Sequence, residues 1–255
     1  MQSSILEATD VEKSFVKGDK RIVALRGFNL AVAEGSFVTV VGRSGCGKST
    51  MLNMMAGLTK PTAGQITLRG EPVQGPRAEV GYLTQDDTLL PWREVRRNVE
   101  MPMELQGVGK RRRRETAQEL IELVGLQGFE KHYPRELSGG MRRRASLARL
   151  LAGDPQTLLL DEPFGALDAQ LRTDLQVELL RLWRGSGRTV VFVTHDLEEA
   201  LLLGDRVVVL GPVGRLLLDE PVEIARPRDP DDVRVDERFV HLHKKLGAAL
   251  KEGAL

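Results

Sequence analysis

The sequence predicts an α/β fold with a core of parallel strands and helices, an antiparallel β region near the N-terminus and an inserted helical segment. Three observations predict it. A glycine-rich loop joins an apolar, strand-like run to a helix-like run within residues 37–57. Between about residues 152 and 220, strand-like runs alternate with helix-like segments, as expected for a parallel sheet with crossover helices. From about residue 98 to 151 the pattern is helical, which indicates an insertion.

The N-terminal elements follow from short β-branched and apolar stretches. Residues 5–32 contain RIVAL and FNLAV between polar residues and glycines, which predicts antiparallel strands joined by turns. The run FVTVV is continuously apolar, as in a strand that is buried on both faces. A helix then follows in STMLNMMAGL, and GQITLRG and VGYLTQ read as two further strands.

The remaining elements are predicted from periodicity. In ETAQELIELVGL, one helical face carries Ala117, Leu120, Ile121 and Val124. Strands are predicted at TLLLD, TVVFVT and RVVVLG, with helices at DAQLRTDLQVELLRLW and DLEEALLL between them. The tail carries RPRDPDD, which we expect to be an exposed link, and RFVHLHKKLGAALK, which we expect to be one terminal helix.

Composition excludes several classes of protein. The 255 residues are enough for one globular domain with an insertion, and 37 basic against 36 acidic side chains give no overall case for binding nucleic acid. The single cysteine, Cys46, excludes a disulfide framework and indicates a reducing compartment, the cytosol. We find no secretion signal and no apolar run of bilayer length, so we expect any membrane role to depend on a partner chain.

A phosphate-binding motif follows the apolar strand. GRSGCGKS, residues 42–49, matches G-x-x-x-x-G-K-[ST] in full, between a strand and a helix. Lys48 is expected to reach the β and γ phosphates, Ser49 to offer its hydroxyl to Mg²⁺, and Thr50 to support the α phosphate. A glycine turn that matches by chance is the alternative, and a dinucleotide is disfavoured because no third glycine has the required spacing. The predicted ATP contacts are Gly42, Arg43, Ser44, Gly45, Cys46, Gly47, Lys48, Ser49 and Thr50.

Two acidic residues end a buried strand in TLLLDEPFGALD. Asp161 is expected to hold Mg²⁺, and Glu162 to orient and polarise the attacking water, because phosphoryl transfer depends on positioning and charge compensation. Taken alone, the pair could simply end a strand and begin a turn. His195 in VFVTHDLEE also follows a strand, so we expect it at the same sheet edge, in contact with the terminal phosphate, although a lone histidine is more often structural.

A second anion site is predicted at Ser138, Gly139 and Gly140. Serine is a preferred N-cap, and the free amides of a helix start attract anions. Glycine in a first helical turn costs about 1 kcal/mol relative to alanine, so two glycines suggest that something approaches the backbone closely. The alternative is an ordinary capped helix.

These motifs together resemble a known family. GRSGCGKST, Gln85, LSGGM, LLLDEPFGALD and His195, in this order and spacing, resemble the nucleotide-binding subunit of ATP-binding-cassette (ABC) transporters over residues 5–220. The resemblance implies a P-loop NTPase fold with a mixed β core, an antiparallel β subdomain and a helical subdomain insertion. In one ABC domain spanning 1–255, about 5–97 and 152–220 would be the RecA-like core with its antiparallel β region, about 98–151 the helical subdomain and about 221–255 a short C-terminal extension.

The resemblance also implies a head-to-tail homodimer. Each ATP would lie between the phosphate loop of one copy and the Ser138 helix end of the other. Gln85 would sense Mg²⁺ and the transporter subunit and take part in catalysis, Asp168 would couple the two sites, and Phe15 would stack on adenine, although an aromatic there could equally be core. Thr84 and Met141 depart from the commonest family residues, phenylalanine and glutamine.

The stretch containing LLPW resembles the branch serving nitrate, sulfonate and taurine importers. It implies a bacterial importer subunit at the cytoplasmic face of the cell membrane, contacting a permease near Gln85 to Trp92 and, indirectly, a solute-binding protein. Trp92 would anchor the permease, with a satellite core position as the alternative. The arginines at 111–114 are expected to form a solvated turn before a helix, with nucleic-acid contact as the alternative. Those at 142–144 are expected to need acidic neighbours that the sequence does not reveal.

Other functions remain open at this stage. A GTPase or small-molecule kinase would leave the Ser-Gly-Gly helix start unexplained, and no Asn-Lys-x-Asp motif for guanine is present. A soluble ABC ATPase of DNA repair or translation usually has a second cassette or a coiled coil. An exporter or lipid carrier subunit is disfavoured only by the LLPW resemblance.

Overall fold

The computed structural model describes residues 4–18, 20–165 and 167–253, apart from the side chains of Lys17 and Asp231. The described strands, in chain order, are β1 (Ser4–Lys17), β2 (Lys20–Ala33), β3 (Phe37–Gly42), β4 (Ala63–Leu68), β5 (Glu71–Pro72), β6 (Val80–Leu83), β7 (Thr157–Asp161), β8 (Thr189–Thr194), β9 (Arg206–Leu210) and β10 (Leu216–Pro221). The helices are α1 (Lys48–Met55), α2 (Val95–Leu105), α3 (Lys110–Leu123), α4 (Gly139–Ala152), α5 (Ala169–Trp183), α6 (Leu197–Leu203), α7 (Pro230–Val233) and α8 (Glu237–Glu252).

The strands form two sheets. The first is antiparallel in the order β2-β1-β4-β5, and its long β1–β2 hairpin corresponds to the antiparallel region expected for residues 5–32. The second has the order β10-β9-β3-β8-β7-β6. Five of its strands are parallel and only β10 runs antiparallel, at the edge. The predicted α/β fold with a mixed β core is confirmed.

Burial explains why the central strands are continuously apolar. Every residue of β3, β7 and β8 is buried, because helices cover one face of the sheet and the antiparallel sheet with α1 covers much of the other. Strands of this kind cannot show polar alternation, since neither face meets water.

The sheet order brings three loops together. Strand β8 lies between β3 and β7, with Val41 paired to Thr194 and Val193 paired to Asp161. The phosphate loop, the Asp161–Glu162 pair and His195 follow the carboxyl ends of these neighbouring strands. Ligands of parallel sheets bind at such an edge.

The segment between β6 and β7 is helical. Helices α2, α3 and α4 pack on one another around a shared apolar cluster. On the predicted face of α3, Ala117, Ile121 and Val124 are fully buried and Leu120 is partly buried. Among the described residues, no helix combines the length and apolarity needed to cross a bilayer.

The expectation of an exposed link at RPRDPDD holds for Pro227, Asp229 and Asp232 but fails at Arg228. Arg228 is buried, and its guanidinium donates to the carbonyls of Leu201 at 2.8 Å and Val222 at 3.1 Å. Arg226 donates to Asp205 at 2.9 Å and lies over the ring of Trp183. Burial, together with the charge of Arg226, lowers the pKa of Arg228 to about 10. The two arginines fix the start of the tail to the end of α6, and α8 then forms the predicted single terminal helix.

Candidate functional site

The phosphate loop connects β3 to α1 in a conformation that needs glycine. Gly45 and Gly47 have φ values of 81° and 113°, which side-chain-bearing residues rarely adopt. A Cβ at Gly47 would lie 2.7 Å from the Ala24 carbonyl oxygen, and one at Gly42 would lie 2.7 Å from Cys46 Sγ and from the Leu210 carbonyl oxygen. The chain's own packing therefore enforces Gly42 and Gly47, whereas Gly45 is favoured by its backbone conformation alone.

Lys48 begins α1 with its ammonium group held inside the loop. Its side chain is 6% exposed, and Nζ donates to the carbonyls of Gly42 at 2.6 Å and Arg43 at 3.1 Å. No side chain caps the N-terminus of α1 within the described part of the chain, so its first amides are available to an anion. Arg43 and Ser44 are exposed, Ser49 and Thr50 are partly buried, and Cys46 is buried with its thiol pKa raised by that burial.

Asp161 carries a buried carboxylate beside this loop. The residue is 2% exposed, and Oδ2 has no hydrogen-bond partner among the described residues. Burial raises the pKa of this carboxyl, the Ser49 hydroxyl opposes the rise through a hydrogen bond, and Lys48 also lowers it. A buried carboxylate oxygen without a partner is costly, and it suits a cation held between Asp161 and Ser49.

Glu162 and His195 meet at the same edge. His195 Nδ1 lies 3.2 Å from Glu162 Oε2, and the His195 ring is mostly exposed. Glu162 has a φ of 46°, in the left-handed region that a non-glycine residue rarely occupies. Its amide donates to the Val193 carbonyl at 2.9 Å, which holds this strained backbone in place. Strain of this kind is frequent at functional sites.

The Ser138 helix end has a different construction. Ser138 caps α4, its Oγ accepting from the Met141 amide at 3.2 Å. A Cβ at Gly139 would meet only Arg142 Nη2, at 3.8 Å, and the backbone there has no positive φ. Nothing in the described part of this chain therefore requires glycine at position 139. Met141 packs against the apolar cluster of the helical segment.

The other predicted site residues lie on loops around this edge. Asp168 caps α5 and accepts from the Leu171 amide at 3.0 Å. Gln85 is exposed in the loop after β6, where the Thr84 hydroxyl donates to the Asp86 carbonyl at 2.8 Å. Phe15 is 43% exposed on β1, with Lys13 Nζ 5.0 Å above its ring, so the core alternative for Phe15 is wrong.

The loop after Gln85 presents an exposed tryptophan. Trp92 is 71% exposed, which excludes the satellite core alternative. The neighbouring Arg93 pairs with Glu104 at 2.9 Å, next to Leu105, which is also strongly exposed. A groove of about 490 Å³ adjoins this region. Its lining includes Tyr82, Thr88, Leu90, Met101, Leu105 and Arg149.

Sequence reasoning missed two buried polar residues. Asn98 is fully buried, and its side chain accepts from the Leu90 amide at 2.7 Å and donates to the Arg93 carbonyl at 2.8 Å, so it bridges both sides of the Trp92 loop. The second is Arg143, which donates to backbone carbonyls near Gln85 and Asp161. Helical periodicity was the available signal for Arg143, since it lies four positions before the buried Leu147 on the same helical face.

The guanidinium groups of the arginines at 142–144 donate mainly to backbone carbonyl groups. Arg142 pairs with Asp87 at 2.7 Å, whereas Arg144 donates to the carbonyls of Val124 at 3.0 Å and Gly125 at 2.7 Å. Acidic neighbours exist for all three: Asp87 pairs with Arg142, Asp161 and Glu162 lie within electrostatic reach of Arg143, and Asp168 lies within reach of Arg144. The basic run at 111–114 is mostly exposed, as expected, with Arg111 paired to Glu115. It lies at the start of α3, however, and not in a turn before the helix.

The residues at this edge fit a nucleoside triphosphate with its magnesium ion. The glycine loop, the Lys48 ammonium and the free amides of α1 suit phosphate oxygens, and the unpartnered Asp161 oxygen suits a cation. No group of three or more His, Cys, Asp or Glu in the described residues could hold a metal by itself. Phosphate oxygens and water are the further ligands that Mg²⁺ usually takes beside one or two carboxylates.

Comparisons with known proteins agree with this geometry. The ABC transporter family model matches residues 25–165. The chain is 46% identical to the ABC transporter ATP-binding protein MJ0412 of Methanocaldococcus jannaschii, over 98% of this chain and 92% of that protein. It is 46% identical to the taurine import ATP-binding protein TauB of Yersinia pestis (85% and 87% covered) and 43% identical to TauB of Burkholderia pseudomallei (88% and 88%).

A solved structure extends the similarity to three dimensions. The ATP-binding cassette MJ0796, seen as a dimer bound to ADP and Pi in a post-hydrolysis state, superposes with a TM-score of 0.80 at 33% identity. The match covers 86% of this chain and all of that one.

Proposed function

We propose that this chain powers import of a small solute of the nitrate, sulfonate or taurine type through a partner permease. The premise is that the chain belongs to the ABC transporter family, as an ATP-binding, ATP-hydrolysing component. The observation that carries the proposal is the similarity to taurine import ATP-binding proteins over 85% and 88% of this chain. The exposed Trp92 beside a groove supports it, since an importer subunit needs a surface for its membrane partner.

Residues of the sheet edge divide the chemistry of hydrolysis. When bound, ATP supplies the phosphoryl group that passes to water, and Mg²⁺ offsets the charge on its oxygens. Lys48 and the loop amides of residues 42–50 bind the phosphates. Asp161 and Ser49 hold the cation, with Gln85 as a further contact. Phe15, exposed on the β1–β2 hairpin, stacks on the adenine.

Glu162 polarises the attacking water. Its Oε2 lies 3.2 Å from His195 Nδ1, so the imidazole fixes the orientation of the carboxylate that receives the proton. The other ring nitrogen of His195 contacts the terminal phosphate. The strained backbone at Glu162 keeps this carboxylate at the sheet edge rather than in the packed core.

Two copies complete each site. The Ser138 helix end binds the terminal phosphate held by the other copy, and Asp168 couples the two sites. The room around Gly139 supports this arrangement, because a residue that its own chain does not need as glycine is explained by the approach of a second molecule. The dimeric cassette of similar fold also supports it.

The permease contacts the loop between Gln85 and Trp92. Its short cytoplasmic helix would enter the groove beside Leu90 and Leu105, with Trp92 as an anchor. The chain thereby lies at the cytoplasmic face of the membrane, and a solute-binding protein delivers the solute on the other side. Within the chain, residues 98–151 act as a helical subdomain on the core and residues 221–255 as a C-terminal extension.

Reconstitution with the permease tests the proposal. The chain is co-expressed with the permease of a neighbouring gene and purified in lipid, and ATP hydrolysis is measured with taurine, other sulfonates, nitrate and the cognate binding protein. Import is supported if one solute stimulates ATP hydrolysis, and does so only when its binding protein is present on the side of the membrane away from ATP. Stimulation by a lipid or by a solute from the ATP side would identify an exporter or lipid carrier.

Glu162→Gln tests the catalytic assignment. The amide keeps the size of the carboxylate but accepts protons poorly, so we expect turnover to fall by about 100-fold or more, with ATP affinity retained and a dimer trapped in ATP. The readouts are phosphate release, equilibrium binding of a fluorescent ATP analogue and size-exclusion chromatography. Turnover close to wild type would exclude Glu162 as the water-polarising residue.

A further inference from the structure

Arg143 is a buried guanidinium in the second turn of α4, in the middle of three consecutive arginines. It is 5% exposed, whereas its neighbours Arg142 and Arg144 are only partly buried. Burying an arginine is costly unless its N–H groups are paired, so its partners show what the burial achieves.

Four backbone carbonyls accept from this one side chain. Nε donates to Pro163 at 3.1 Å, Nη2 donates to Asp161, and Nη1 donates to Thr84 and to Gln85 at 3.2 Å. The carbonyls come from two segments: the loop after β6 and the turn after β7. The guanidinium therefore joins the start of α4 to the backbone that carries Gln85 and to the backbone that carries Asp161 and Glu162.

Nearby carboxylates also favour the buried position of the Arg143 guanidinium. Burial lowers the pKa of Arg143, while the carboxylates of Asp161 and Glu162 act against that shift, followed by those of Asp87 and Asp86. An arginine guanidinium stays charged in proteins, and this one lies within electrostatic reach of both acidic residues of the hydrolytic site. A lysine has no planar fork with which to reach two segments, and a glutamine has only two N–H donors on a shorter side chain.

We propose that Arg143 is a positioning residue, which holds the Gln85 loop and the Asp161–Glu162 turn in fixed relation to the Ser138 helix end. This inference rests on the proposed function, since the reaction it serves is ATP hydrolysis. In the dimer, Gln85, Asp161 and Glu162 serve the ATP of their own copy, whereas Ser138 serves the ATP of the other. A single buried side chain therefore connects parts of both sites.

The first test compares Arg143→Gln with the matched variant Arg144→Gln. Arg144 lies on the same helix and donates to the Val124 and Gly125 carbonyls, so its loss removes similar bonds without touching the Gln85 loop or the Asp161 turn. We expect Arg143→Gln to lower kcat about 10-fold or more, to change the KM for ATP less than about threefold, and to raise the Mg²⁺ concentration for half-maximal activity. We expect Arg144→Gln to keep kcat within about threefold of wild type.

Thermal unfolding of both variants separates positioning from stability. Equal losses of kcat in the two variants at equal losses of Tm would overturn the proposal, and so would an unchanged kcat and Mg²⁺ dependence in Arg143→Gln. If Arg143→Gln does not fold, Arg143→Lys replaces it, because lysine keeps the charge and can reach only part of the carbonyl set. A lysine variant that folds with the kcat and Mg²⁺ dependence of wild type would contradict the proposal.

Mixed dimers test the connection between the two sites. One copy carries Lys48→Ala and the other Ser138→Arg. Both substitutions then fall in the same composite site, and the other composite site keeps its wild-type residues. Arg143→Gln is then placed on the copy that gives the intact phosphate loop or on the copy that gives the intact Ser138 end. We expect loss of activity in both placements. Loss only when Arg143→Gln is on the copy that gives the intact Ser138 end would contradict the proposal, because Arg143 would then stabilise only its own helix start.

The experiments also distinguish this inference from the proposed dimer. If mixed dimers without an Arg143 substitution show no surviving site, the composite-site scheme fails. The kcat and Mg²⁺ comparison of Arg143→Gln with Arg144→Gln still decides the positioning role, because it uses the chain's own Gln85 and Asp161.

Discussion

The two glycine-bearing helix starts, at the phosphate loop and at Ser138, look alike in sequence but differ in structure. Gly42 and Gly47 are enclosed, and a Cβ on either would lie 2.7 Å from backbone oxygens of the same chain. Gly139 has open space, with its nearest atom, the end of an arginine side chain, 3.8 Å away. Contacts within the same chain explain the glycines of the phosphate loop. No such contact explains Gly139 at the Ser138 helix end.

The difference separates two reasons for keeping glycine. In the phosphate loop, positive φ values and close backbone contacts are conditions for the fold itself. At the Ser138 end, a normal helical backbone with a side-chain cap would accept alanine. The same substitution, glycine to alanine, should therefore destabilise the isolated copy in the phosphate loop and leave it largely unchanged at the Ser138 end.

The largest effect is expected from Gly47→Ala. Its Cβ would collide with the Ala24 carbonyl oxygen and the Leu25 side chain at a φ of 113°. We expect the free energy of unfolding to fall by about 1–3 kcal/mol and ATP affinity to fall by more than about tenfold. Urea unfolding and equilibrium binding of an ATP analogue measure both. Wild-type affinity would mean that the loop can relax around the new methyl group.

Gly139→Ala is the matched substitution in the second region. Alanine favours the helix by up to about 1 kcal/mol, so we expect unchanged or slightly raised stability and unchanged ATP affinity of the isolated copy. Turnover of the dimer should fall about tenfold, because the methyl group blocks the approach of the other copy's nucleotide. The comparison breaks down if ATP affinity of the isolated copy falls as in Gly47→Ala.

Trp92→Ala tests a surface that belongs to neither region. Because Trp92 is 71% exposed, we expect no change in stability or in ATP hydrolysis by the purified chain. Affinity for the permease should fall about tenfold or more, the usual loss for an aromatic anchor. Co-purification from detergent-solubilised membranes measures it, with Val177→Ala, another exposed apolar residue, as control. Equal retention of permease by both variants would place the contact elsewhere.

Glu199→Gln is expected to have the smallest effect of these substitutions. It should change the pH dependence of stability without changing ATP hydrolysis. Burial raises the pKa of Glu199, with hydrogen bonds from Thr194 and Gln176 opposing, the charge of Asp196 adding to the rise and Arg172 lowering it. Folding thus favours the protonated carboxyl. Its stabilisation is complete below the ordinary Glu pKa of about 4.3 and is lost as pH rises through the higher folded value.

The amide cannot ionise, so Glu199→Gln should gain stability relative to wild type as pH rises through that window. Thermal unfolding between pH 4 and pH 8 checks the trend. A difference in Tm that does not vary with pH would show that folding does not raise the pKa of Glu199.

Most elements could be predicted because their patterns are local. The apolar runs of β3, β7 and β8 are buried on both faces, and the periodicity of α3 places Ala117 and Ile121 in the core. The burial of Arg228 could not be predicted, because the charges of RPRDPDD suggest solvent. Arg228 is buried because its guanidinium donates to carbonyl groups at the end of α6, which is distant from it in the sequence.

The candidate site divides in the same way. The phosphate loop, the Asp161–Glu162 pair and His195 each follow a recognisable strand, so their common edge could be predicted from the order of elements. The 3.2 Å contact between Glu162 and His195 depends on β8 lying beside β7. The environment of Arg143 depends on two loops meeting a helix, which no local pattern encodes.

The sequence by itself determined the α/β class, the phosphate loop and the identity of the acidic and imidazole groups, because each depends on residue types within a few positions of one another. Only the tertiary structure decided that Arg143 and Arg228 are buried, that Trp92 is exposed and that Gly139 has room around it. The physical reason is that burial, and the pairing of polar groups it demands, is a property of atoms brought together from distant parts of the chain.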